Sequence, residues 1–342
     1  MTLEGHHVSN LVVVALLAIA VWVWRLVRQN EVWRGAFRQL GRRRPVAVAV
    51  LGLYVAVGLL DSVSWIGSSR AETDAVAAHK PKSIIDRMFS GRTEKSYSKP
   101  FDRVEFYDKS PLHHPGGHPL GTDILGRDVL QVTLKGARVA LLIGGLTSLI
   151  AIPLALLFGV TAGYFGRRLD DIVFFVMSTF ASMPGMLLLI ALIIALGRST
   201  LSVCLALGIT SWVGFCRISR GETLKLREMD YVQAARAMGV SEVRIIFRHV
   251  LPNLMHLVII TFALMFSGLV LSEAVLSWLG IGVDGSWGQM IAQAKDELSR
   301  EPMIWWNIAP AGITLFVLLL AVNFLGDALR DVLDPRTVRE KL

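Results

Sequence analysis

The stretch "DYVQAARAMGVSEVRIIFRHVLPN", Asp230 to Asn253, lies between two uncharged apolar runs that are each about long enough to cross a bilayer. Asp230 belongs to the residue types favoured at helix N-caps, and Gln233 follows three positions later, as in a capping box. The first helix is expected to end at Gly239, because glycine tolerates the left-handed conformation of the C′ position. The stretch therefore begins with a short capped helix and a turn.

A second short helix is expected after this turn. Ser241 is placed to cap it, and Pro252 is expected to stop it just before the next span. Its apolar residues have the i, i+3, i+4, i+7 spacing of a single stripe, formed by Val243, Ile246, Phe247 and Val250. The sequence thus predicts a helix–glycine–helix hairpin with one apolar face. Such a hairpin can lie among lipid headgroups or dock in the groove of a partner protein.

The composition is typical of a protein that crosses the membrane several times. Of 342 residues, 53% are hydrophobic and 18% are charged, and the mean hydropathy is +0.54. The net charge of +8 does not indicate nucleic-acid binding, because no basic stripe is interleaved with aromatic residues. Cys204 and Cys216 would lie about 18 Å apart on one helix, too far for a disulfide.

Seven apolar runs are candidate spans, which would place the two termini on opposite sides of the membrane. They are Val8–Trp24, Pro45–Gly67, Val139–Phe165, Ile172–Gly197, Ser199–Cys216, Leu254–Ser272 and Pro302–Gly326. Seven arginines between residues 25 and 44 mark a cytoplasmic loop, since basic residues accumulate on that side. The N-terminus is therefore expected outside, ahead of an uncleaved first span, and the C-terminus in the cytoplasm.

The runs divide the chain into five expected segments. These are an extra N-terminal span with a basic loop (1–44), a first core span (45–67), an external lobe (68–136), a transmembrane core (137–331) that includes a cytoplasmic loop at 219–253, and a cytoplasmic tail (332–342). Prolines at positions 153, 184 and 310 lie inside predicted spans, where they free backbone groups and can line a pathway or merely bend a helix.

Several polar residues outside the hairpin are candidates for metal-binding, gating or capping roles. The histidines of "HHPGGH" (His113, His114 and His118) are disfavoured as metal ligands, because the Pro-Gly-Gly turn predicts no fixed geometry and no cysteine is near. Asp123 and Asp128, on either side of Gly126, are expected in an interfacial turn, since a calcium loop needs more oxygen ligands. Arg127 and Asp128 are also expected at an amphipathic helix before Val139. Glu273, at membrane depth, is either a gate or packing contact or the cap of a short helix "EAVLSWLG", and the cap is preferred.

Three ordered motifs between residues 118 and 334 resemble the dipeptide/oligopeptide/nickel permease family of ABC importers. "YVQAARAMGVSEVRIIFRHVLPN" is similar to that family's EAA loop, with Gln233-Ala234-Ala235, Gly239 and Leu251-Pro252 in the motif positions. Gln233 stands where the general pattern has Glu, and His249 where it has Ile. "HPLGTDILGRDVL" (118–130) and "LSEAVLSWLGIGV" followed by "SWGQMI" resemble two further family segments, and the latter place Gly280, Trp287 and Gly288 beside Glu273 as candidate gate or structural residues.

The resemblance implies an all-α membrane domain of the type I ABC importer fold, a six-span core plus the extra first span, in the inner membrane of a bacterium. It implies that residues 230–252 couple to an ATPase, through Asp230, Gln233, Ala234, Ala235, Gly239, Ser241, Leu251 and Pro252. The implied partners are a second homologous permease, two ATPase subunits and an external binding protein, and the implied mechanism is alternating access. The sequence contains no GxxxxGK[ST] phosphate loop, so ATP and Mg²⁺ are expected on the partner ATPases and no cofactor on this chain.

The expected substrate is a peptide, and nickel chelates, oligosaccharides and other peptide-like solutes are alternatives within the same machinery. A membrane enzyme or sensor that uses the histidines of the outer loop is the rival from another class. It requires carboxylates or a cysteine converging on residues 113–118, which the sequence does not indicate.

Overall fold

A computed structural model of the chain describes residues 40–65 and 82–333. The predicted first span Val8–Trp24, most of the basic loop and the tail beyond residue 333 lie outside the described residues. Within them the structure is helical apart from loops and one two-stranded antiparallel sheet, β1 (Ser64–Trp65) with β2 (Lys82–Ser83). The predicted all-α class therefore holds for the described part of the chain.

Eleven α-helices follow in chain order within the described residues, and one π-helix (Ile246–Val250) joins the eighth to the ninth. They are α1 (Pro45–Ser62), α2 (Ile84–Met88), α3 (Val129–Phe165), α4 (Arg167–Ser182), α5 (Gly185–Leu196), α6 (Thr200–Arg227), α7 (Asp230–Ala237), α8 (Glu242–Ile245), α9 (Leu251–Trp278), α10 (Trp287–Leu298) and α11 (Ile308–Leu333).

Five stretches of the described chain are long and apolar enough to cross a membrane. They are Pro45–Ser62, Val129–Phe165, Thr200–Arg227, Glu242–Trp278 and Ile308–Arg330. A sixth is possible if α4 and α5 together count as one broken span. The sequence predicted six in this part of the chain, and the difference lies in the run Ile172–Gly197.

That run is not one straight helix. The axes of α4 and α5 differ by 91°, with the break at residues 183 and 184. Pro184 precedes the first residue of α5, and Met183 before it is extended (φ −85°, ψ 135°). A residue that precedes proline avoids the helical conformation because its backbone would clash with the proline ring, so this proline ends a helix. Pro153, by contrast, stays inside α3, and Pro310 falls in the first turn of α11, where its missing N–H removes no helical bond.

Other boundaries also differ from the prediction. The first core span ends at Ser62 instead of continuing to Gly67. α3 begins at Val129, so the last eight residues assigned to the outer lobe are helical. Arg127 and Asp128 belong to a tight turn, with Thr122 and Asp128 forming an isolated β-bridge, and not to an amphipathic helix. One Asp128 carboxylate oxygen accepts the Leu130 N–H at 2.8 Å and thereby caps the helix.

The chain divides into two compact units, of which the first comprises Met1–Leu141 and Ala274–Ala321. Its loops between residues 89 and 128 pack with α10 around buried polar contacts. The Trp306 indole N–H donates to the Thr122 carbonyl at 3.0 Å, and the Tyr97 hydroxyl donates to Glu297 at 2.9 Å. Gly126 has φ +69°, and a Cβ there would lie 1.9 Å from the Glu94 carbonyl oxygen. This turn of the lobe therefore requires glycine.

The second unit comprises Leu142–Glu273 and Val322–Leu342. Its helices α3 and α6 approach closely because two glycines of α3 face the backbone of α6. A Cβ at Gly159 would lie 2.6 Å from the Cys216 carbonyl oxygen, and one at Gly163 would lie 2.7 Å from that of Arg220. Small residues that allow backbones to touch are the usual means of tight helix packing in membranes. The two cysteines are free and buried in this unit.

Candidate functional site

The hairpin at the junction of the third and fourth long stretches, Thr200–Arg227 and Glu242–Trp278, has the predicted glycine turn. Gly239 has φ +76°. Its N–H donates to the Arg236 carbonyl at 3.0 Å, and the Val240 N–H donates to the Ala235 carbonyl at 3.1 Å. These two bonds are the Schellman pattern, which satisfies the last carbonyls of a helix. The expected left-handed C′ position at Gly239 is confirmed.

The predicted caps of the hairpin differ from the observed ones. α7 begins at Asp230 itself, with Met229 in the N-cap position and no side-chain cap. Asp230 contributes only its charge to the first turn, which favours a helix N-terminus. The Gln233 amide donates to the Arg227 carbonyl at 3.0 Å instead of completing a capping box. Ser241 is the N-cap residue of α8, as expected, but its side chain makes no capping bond.

Pro252 does not stop the second helix. α8, the π-helix and α9 form one continuous rod from Glu242 to Trp278, with Pro252 near the start of α9. The Leu251 N–H bonds to the Ile246 carbonyl, five residues back, which widens the turn ahead of the proline. The Asn253 side-chain amide donates to the His249 carbonyl at 2.6 Å. The wider turn accommodates the proline that a regular α-helix interior would exclude.

The same π-helix divides the predicted apolar stripe. Ile246 and Val250 are buried, whereas Val243 is 62% exposed and Phe247 is 67% exposed. A stripe at i, i+3, i+4, i+7 assumes regular α-helical geometry, and the i→i+5 bonding changes the angular position of the later residues. The hairpin consequently has two apolar faces where the sequence predicted one.

The inner face packs against the hairpin's own chain. Val232 and Ala235 of α7 join a buried cluster with Ile245 and Val250 and with Tyr164 of α3. Full burial of a valine side chain stabilises by about 1.5–3 kcal/mol, so this face fixes the hairpin to the transmembrane helices. Of the motif alanines, Ala235 points inward and Ala234 is exposed.

The outer face is exposed and apolar. Tyr231, Met238, Val243 and Phe247 are all more than two-fifths exposed, and Met238 reaches 77%. Ala234 lies among them on α7, and Arg244 and Arg248 are also exposed. A grouped apolar surface on a polar-rimmed helix pair is typical of an interaction site. We call these five residues (Tyr231, Ala234, Met238, Val243 and Phe247) the outer face.

A groove in the same unit was not predicted from the sequence. It has a volume of about 400 Å³ and lies between α6 and α9. Residues 211, 214, 215 and 218 contribute the α6 side with the spacing of one helix face, and α9 contributes Thr261, Leu264, Met265, Gly268, Leu269 and Ser272. Most of its lining is apolar, and Ser211, Thr261 and Ser272 add hydroxyl groups. A Cβ built at Gly214 or Gly268 meets no atom within 4 Å.

The other candidate residues lie in buried positions or in a tight turn. Glu273 is 4% exposed and lies within α9, which continues to Trp278, so it does not cap a separate short helix as the sequence favoured. Gly280 has φ +78° in the turn after that helix. Trp287 is buried, and its indole N–H donates to the Thr133 carbonyl at 2.8 Å. A Cβ at Gly136 would lie 2.3 Å from this indole. Gly288, next in the chain, is also buried.

The histidines of the lobe have partners that the sequence did not reveal. His118 is 1% exposed, with Nδ1 2.9 Å from Asp128 and Nε2 3.3 Å from Glu94. The N–H groups of His113 and His114 donate to Glu94 at 2.9 and 2.8 Å. The Pro-Gly-Gly turn, for which the sequence predicted no fixed geometry, is therefore anchored, and carboxylates do converge on His118. Since both ring nitrogens are occupied and the ring is buried, this arrangement has no open position for a substrate.

No group of three or more His, Cys, Asp or Glu residues within residues 40–65 and 82–333 is placed to hold a metal ion. The rival interpretation as an enzyme required a reactive constellation around residues 113–118. The observed one consists of two carboxylates that hold an inaccessible imidazole, which is a structural role.

The stability of the lobe is predicted to depend on pH through His118. The hydrogen bond that His118 donates to the Asp128 carboxylate raises the pKa of His118 above its ordinary 6.5, against the opposing effect of burial, and Glu94 raises it further. The stabilisation from charged His118 is thus complete below about pH 6.5 and is lost as the pH rises through the folded-state pKa. Hydrogen exchange of residues 89–128, corrected for intrinsic rates, should show lower protection at about pH 9 than at about pH 6.

The matched control is His118→Asn, in which the alkaline loss should disappear. The facing groups are Glu94, Asp128 and His114, whose Nδ1 lies 3.6 Å from Glu94. Burial disfavours the Glu94 carboxylate, but the two amides and His118 hold its pKa below its ordinary value, so its contribution is lost only in acid. Equal protection at both pH values in the wild type would contradict the prediction.

The part of the chain that contains the hairpin and the groove is similar to known proteins. Residues 155–339 match the family described as the inner membrane component of binding-protein-dependent transport systems. The chain is 36% identical over 224 residues to the oligopeptide transport system permease protein OppC of Haemophilus influenzae, covering 65% of this chain and 71% of that protein. It is also 36% identical over 220 residues to the di/tripeptide transport system permease protein DppC of Pseudomonas aeruginosa, covering 64% and 72%.

Among solved structures, the MetNI methionine ABC transporter in an inward-facing conformation has a similar fold. The TM-score is 0.50 at 19% identity, with 60% of this chain and 97% of that chain covered. The likeness supports the predicted type I importer fold of the membrane domain. The family match covers more than half of the chain and includes both the hairpin and the groove, and the chain belongs to the family of binding-protein-dependent transport system inner membrane components.

Proposed function

We propose that this chain is the permease subunit of an ATP-driven importer that moves di- and oligopeptides across the inner membrane by alternating access. The observation that carries the proposal is the hairpin 230–253, which is anchored on one face and exposed and apolar on the other within the family-matched residues. The similarity to an oligopeptide permease and to a di/tripeptide permease suggests the substrate class. The chain contains no phosphate loop, and ATP is therefore proposed to bind to separate ATPase subunits.

The outer face is the proposed docking surface for an ATPase subunit. A helix that presents an apolar face to a groove is a common recognition mode, and the exposed Met238 and Phe247 are suitable anchors. The motif residues Asp230, Gln233, Ala235, Leu251 and Pro252 shape the hairpin, and Ala234 leaves room for close approach. This placement puts the hairpin and the C-terminus in the cytoplasm, and the lobe and the N-terminus outside.

The proposed complex contains a second homologous permease, two ATPase subunits and an external binding protein that delivers the peptide, all assembled in membrane lipid. The groove between α6 and α9 is the proposed contribution of this chain to the pathway. Its apolar lining suits peptide side chains of varied type, and its three hydroxyl groups suit the peptide backbone. The segment 1–44 is proposed as an extra span outside the six-span core.

The proposal is tested by purifying the tagged chain from its native membrane in mild detergent and identifying the proteins that accompany it. We expect an ATPase and a second permease, and we expect cells that lack the chain to lose uptake of labelled alanine di- and tripeptides. A chain recovered alone would leave the hairpin as a lipid-surface element and contradict the proposal. Competition of nickel, but not of peptides, for uptake would contradict the substrate class while leaving the importer intact.

A further inference from the structure

Three side chains join the hairpin to the end of α3. The Tyr164 hydroxyl donates to a Glu242 carboxylate oxygen at the first residue of α8. The Arg236 guanidinium of α7 lies over the Tyr164 ring, 5.3 Å from its centroid, and its Nε is 3.4 Å from the other Glu242 oxygen. One residue of each of the two hairpin helices thus meets the same tyrosine. We call Tyr164, Arg236 and Glu242 the clasp.

The clasp has one buried and two partly exposed members. Tyr164 is buried in the cluster that holds the hairpin, whereas Arg236 and Glu242 are each about two-fifths exposed. An exposed Arg–Glu pair alone contributes little to stability, because water and salt screen it. Tyr164 adds to this pair, because its hydroxyl bonds to Glu242 and its ring contacts Arg236, which together hold the two side chains in one geometry. The angle between α7 and α8 is therefore set by a group on a transmembrane helix.

The helix that carries Tyr164, α3, is packed closely against α6. The backbones of α3 and α6 are in contact at Gly159 and Gly163. The Arg227 guanidinium donates to the Gly163 carbonyl at 3.1 Å, one residue before the tyrosine. Arg220 of α6 makes a bidentate pair with Asp170 of α4, at 2.5 and 2.6 Å. A displacement applied at Tyr164 is consequently shared by α3, α4 and α6 as one body.

We propose that Tyr164, Arg236 and Glu242 are positioning residues that transmit movement of the docked hairpin to the transmembrane helices. This inference rests on the proposed function, and it assigns the transmission to one polar contact instead of to the apolar cluster alone. The apolar cluster keeps the hairpin attached but is non-directional. The clasp supplies direction, because its hydrogen bond and ring contact hold at one orientation only.

The test measures peptide transported per ATP hydrolysed, in proteoliposomes that contain the complete complex and its binding protein, with a mixture of alanine di- and tripeptides as the probe. Tyr164→Phe removes the hydroxyl, and Glu242→Ala removes its acceptor. Each is expected to lower the ratio about five-fold or more, the lower range for coupling between linked sites, while the complex retains its ATPase and continues to hydrolyse ATP. The double variant should be no worse than either single one, because both changes open the same contact.

Two further variants separate positioning from a general structural role. Glu242→Gln keeps a hydrogen-bond acceptor for the tyrosine and should recover most of the ratio. Glu222→Ala is the matched control for Glu242→Ala, because it removes a comparable exposed pair, with Lys225 at 2.9 Å, that lies within α6 alone. It should leave the ratio unchanged. A role limited to folding would instead reduce recovery of the assembled complex and leave the ratio of whatever assembles unaltered.

The outcomes distinguish the inference from the proposed function. A wild-type complex that couples peptide transport to hydrolysis, together with clasp variants that couple equally well, overturns the inference and leaves the function standing. A wild-type complex that hydrolyses ATP without moving any peptide overturns the proposed function and the inference with it. Clasp variants that assemble less while coupling normally show that the contact is structural, which also overturns the inference.

Discussion

Uptake of peptide is expected to fall about ten-fold or more when Gly239 is replaced by valine, while the chain still inserts and assembles. Gly239 has φ +76° at the Schellman turn, and a residue with a Cβ loses about 1–2 kcal/mol there, more for a β-branched side chain. Each 1.4 kcal/mol changes a population ten-fold. The turn should therefore open and re-aim α7, which carries Tyr231, Ala234 and Arg236. The measurement is uptake per assembled complex, with ATP hydrolysis recorded in parallel.

The control for this variant is Gly221→Val in α6. A Cβ at either glycine meets nothing within 4 Å, but only Gly239 has a positive φ. The pair thus separates backbone conformation from added bulk. Transport at the wild-type level by Gly239→Val, at equal expression, would show that the turn has no part in coupling. Gly239→Asn should retain more activity than valine, because asparagine tolerates the left-handed conformation.

Gly268→Trp is expected to block uptake while leaving the ATPase bound. The glycine lines the groove between α6 and α9, and a Cβ there meets no atom within 4 Å, so an indole at this position is expected to occupy part of the groove of about 400 Å³. Tryptophan is also no worse than glycine as a helix residue. A loss of about ten-fold or more in uptake, at unchanged hydrolysis and recovery of partners, would fit a pathway that the side chain obstructs.

Gly145→Trp is the matched control, since this glycine of α3 also has open space and does not line the groove. It should transport as the wild type does. If Gly268→Trp instead loses the second permease during purification, the groove is a subunit interface. Normal uptake by Gly268→Trp would exclude the groove from the pathway.

Local signals in the sequence were sufficient where the chemistry is local. The long apolar runs gave the spans, and the glycine of the hairpin gave the turn, because only glycine is unstrained at that backbone angle. Pro184 is a local signal for the break between α4 and α5. The apolar run through it is continuous, however, so hydropathy alone predicted one span. Pro252 had the opposite effect: the sequence predicted that it ends a helix, and the helix continues through it. A π-helix, which has no signature in hydropathy, removed the obstruction that the proline would otherwise present.

Contacts between distant residues could not be predicted in this way. Glu94 reaches His118 across 24 residues, and Tyr164 reaches Glu242 across 78, so neither cluster shows as a motif. The exposed Val243 and Phe247 appeared to belong with the buried Ile246 and Val250 until the irregular turn was known. Periodicity groups residues on one side of a helix, but it does not show which of them a neighbouring helix covers.

By itself, the sequence determined that this chain is a helical membrane protein with a surface hairpin and no phosphate loop of its own. Hydrophobic length, charge distribution and glycine geometry are properties of neighbouring residues, so they can be determined without knowledge of the fold. Only the tertiary structure decided which hairpin residues face outward, that carboxylates enclose His118, and that α6 and α9 border a groove. Those features depend on which helix surfaces meet, and that choice is made by packing among residues far apart in the chain.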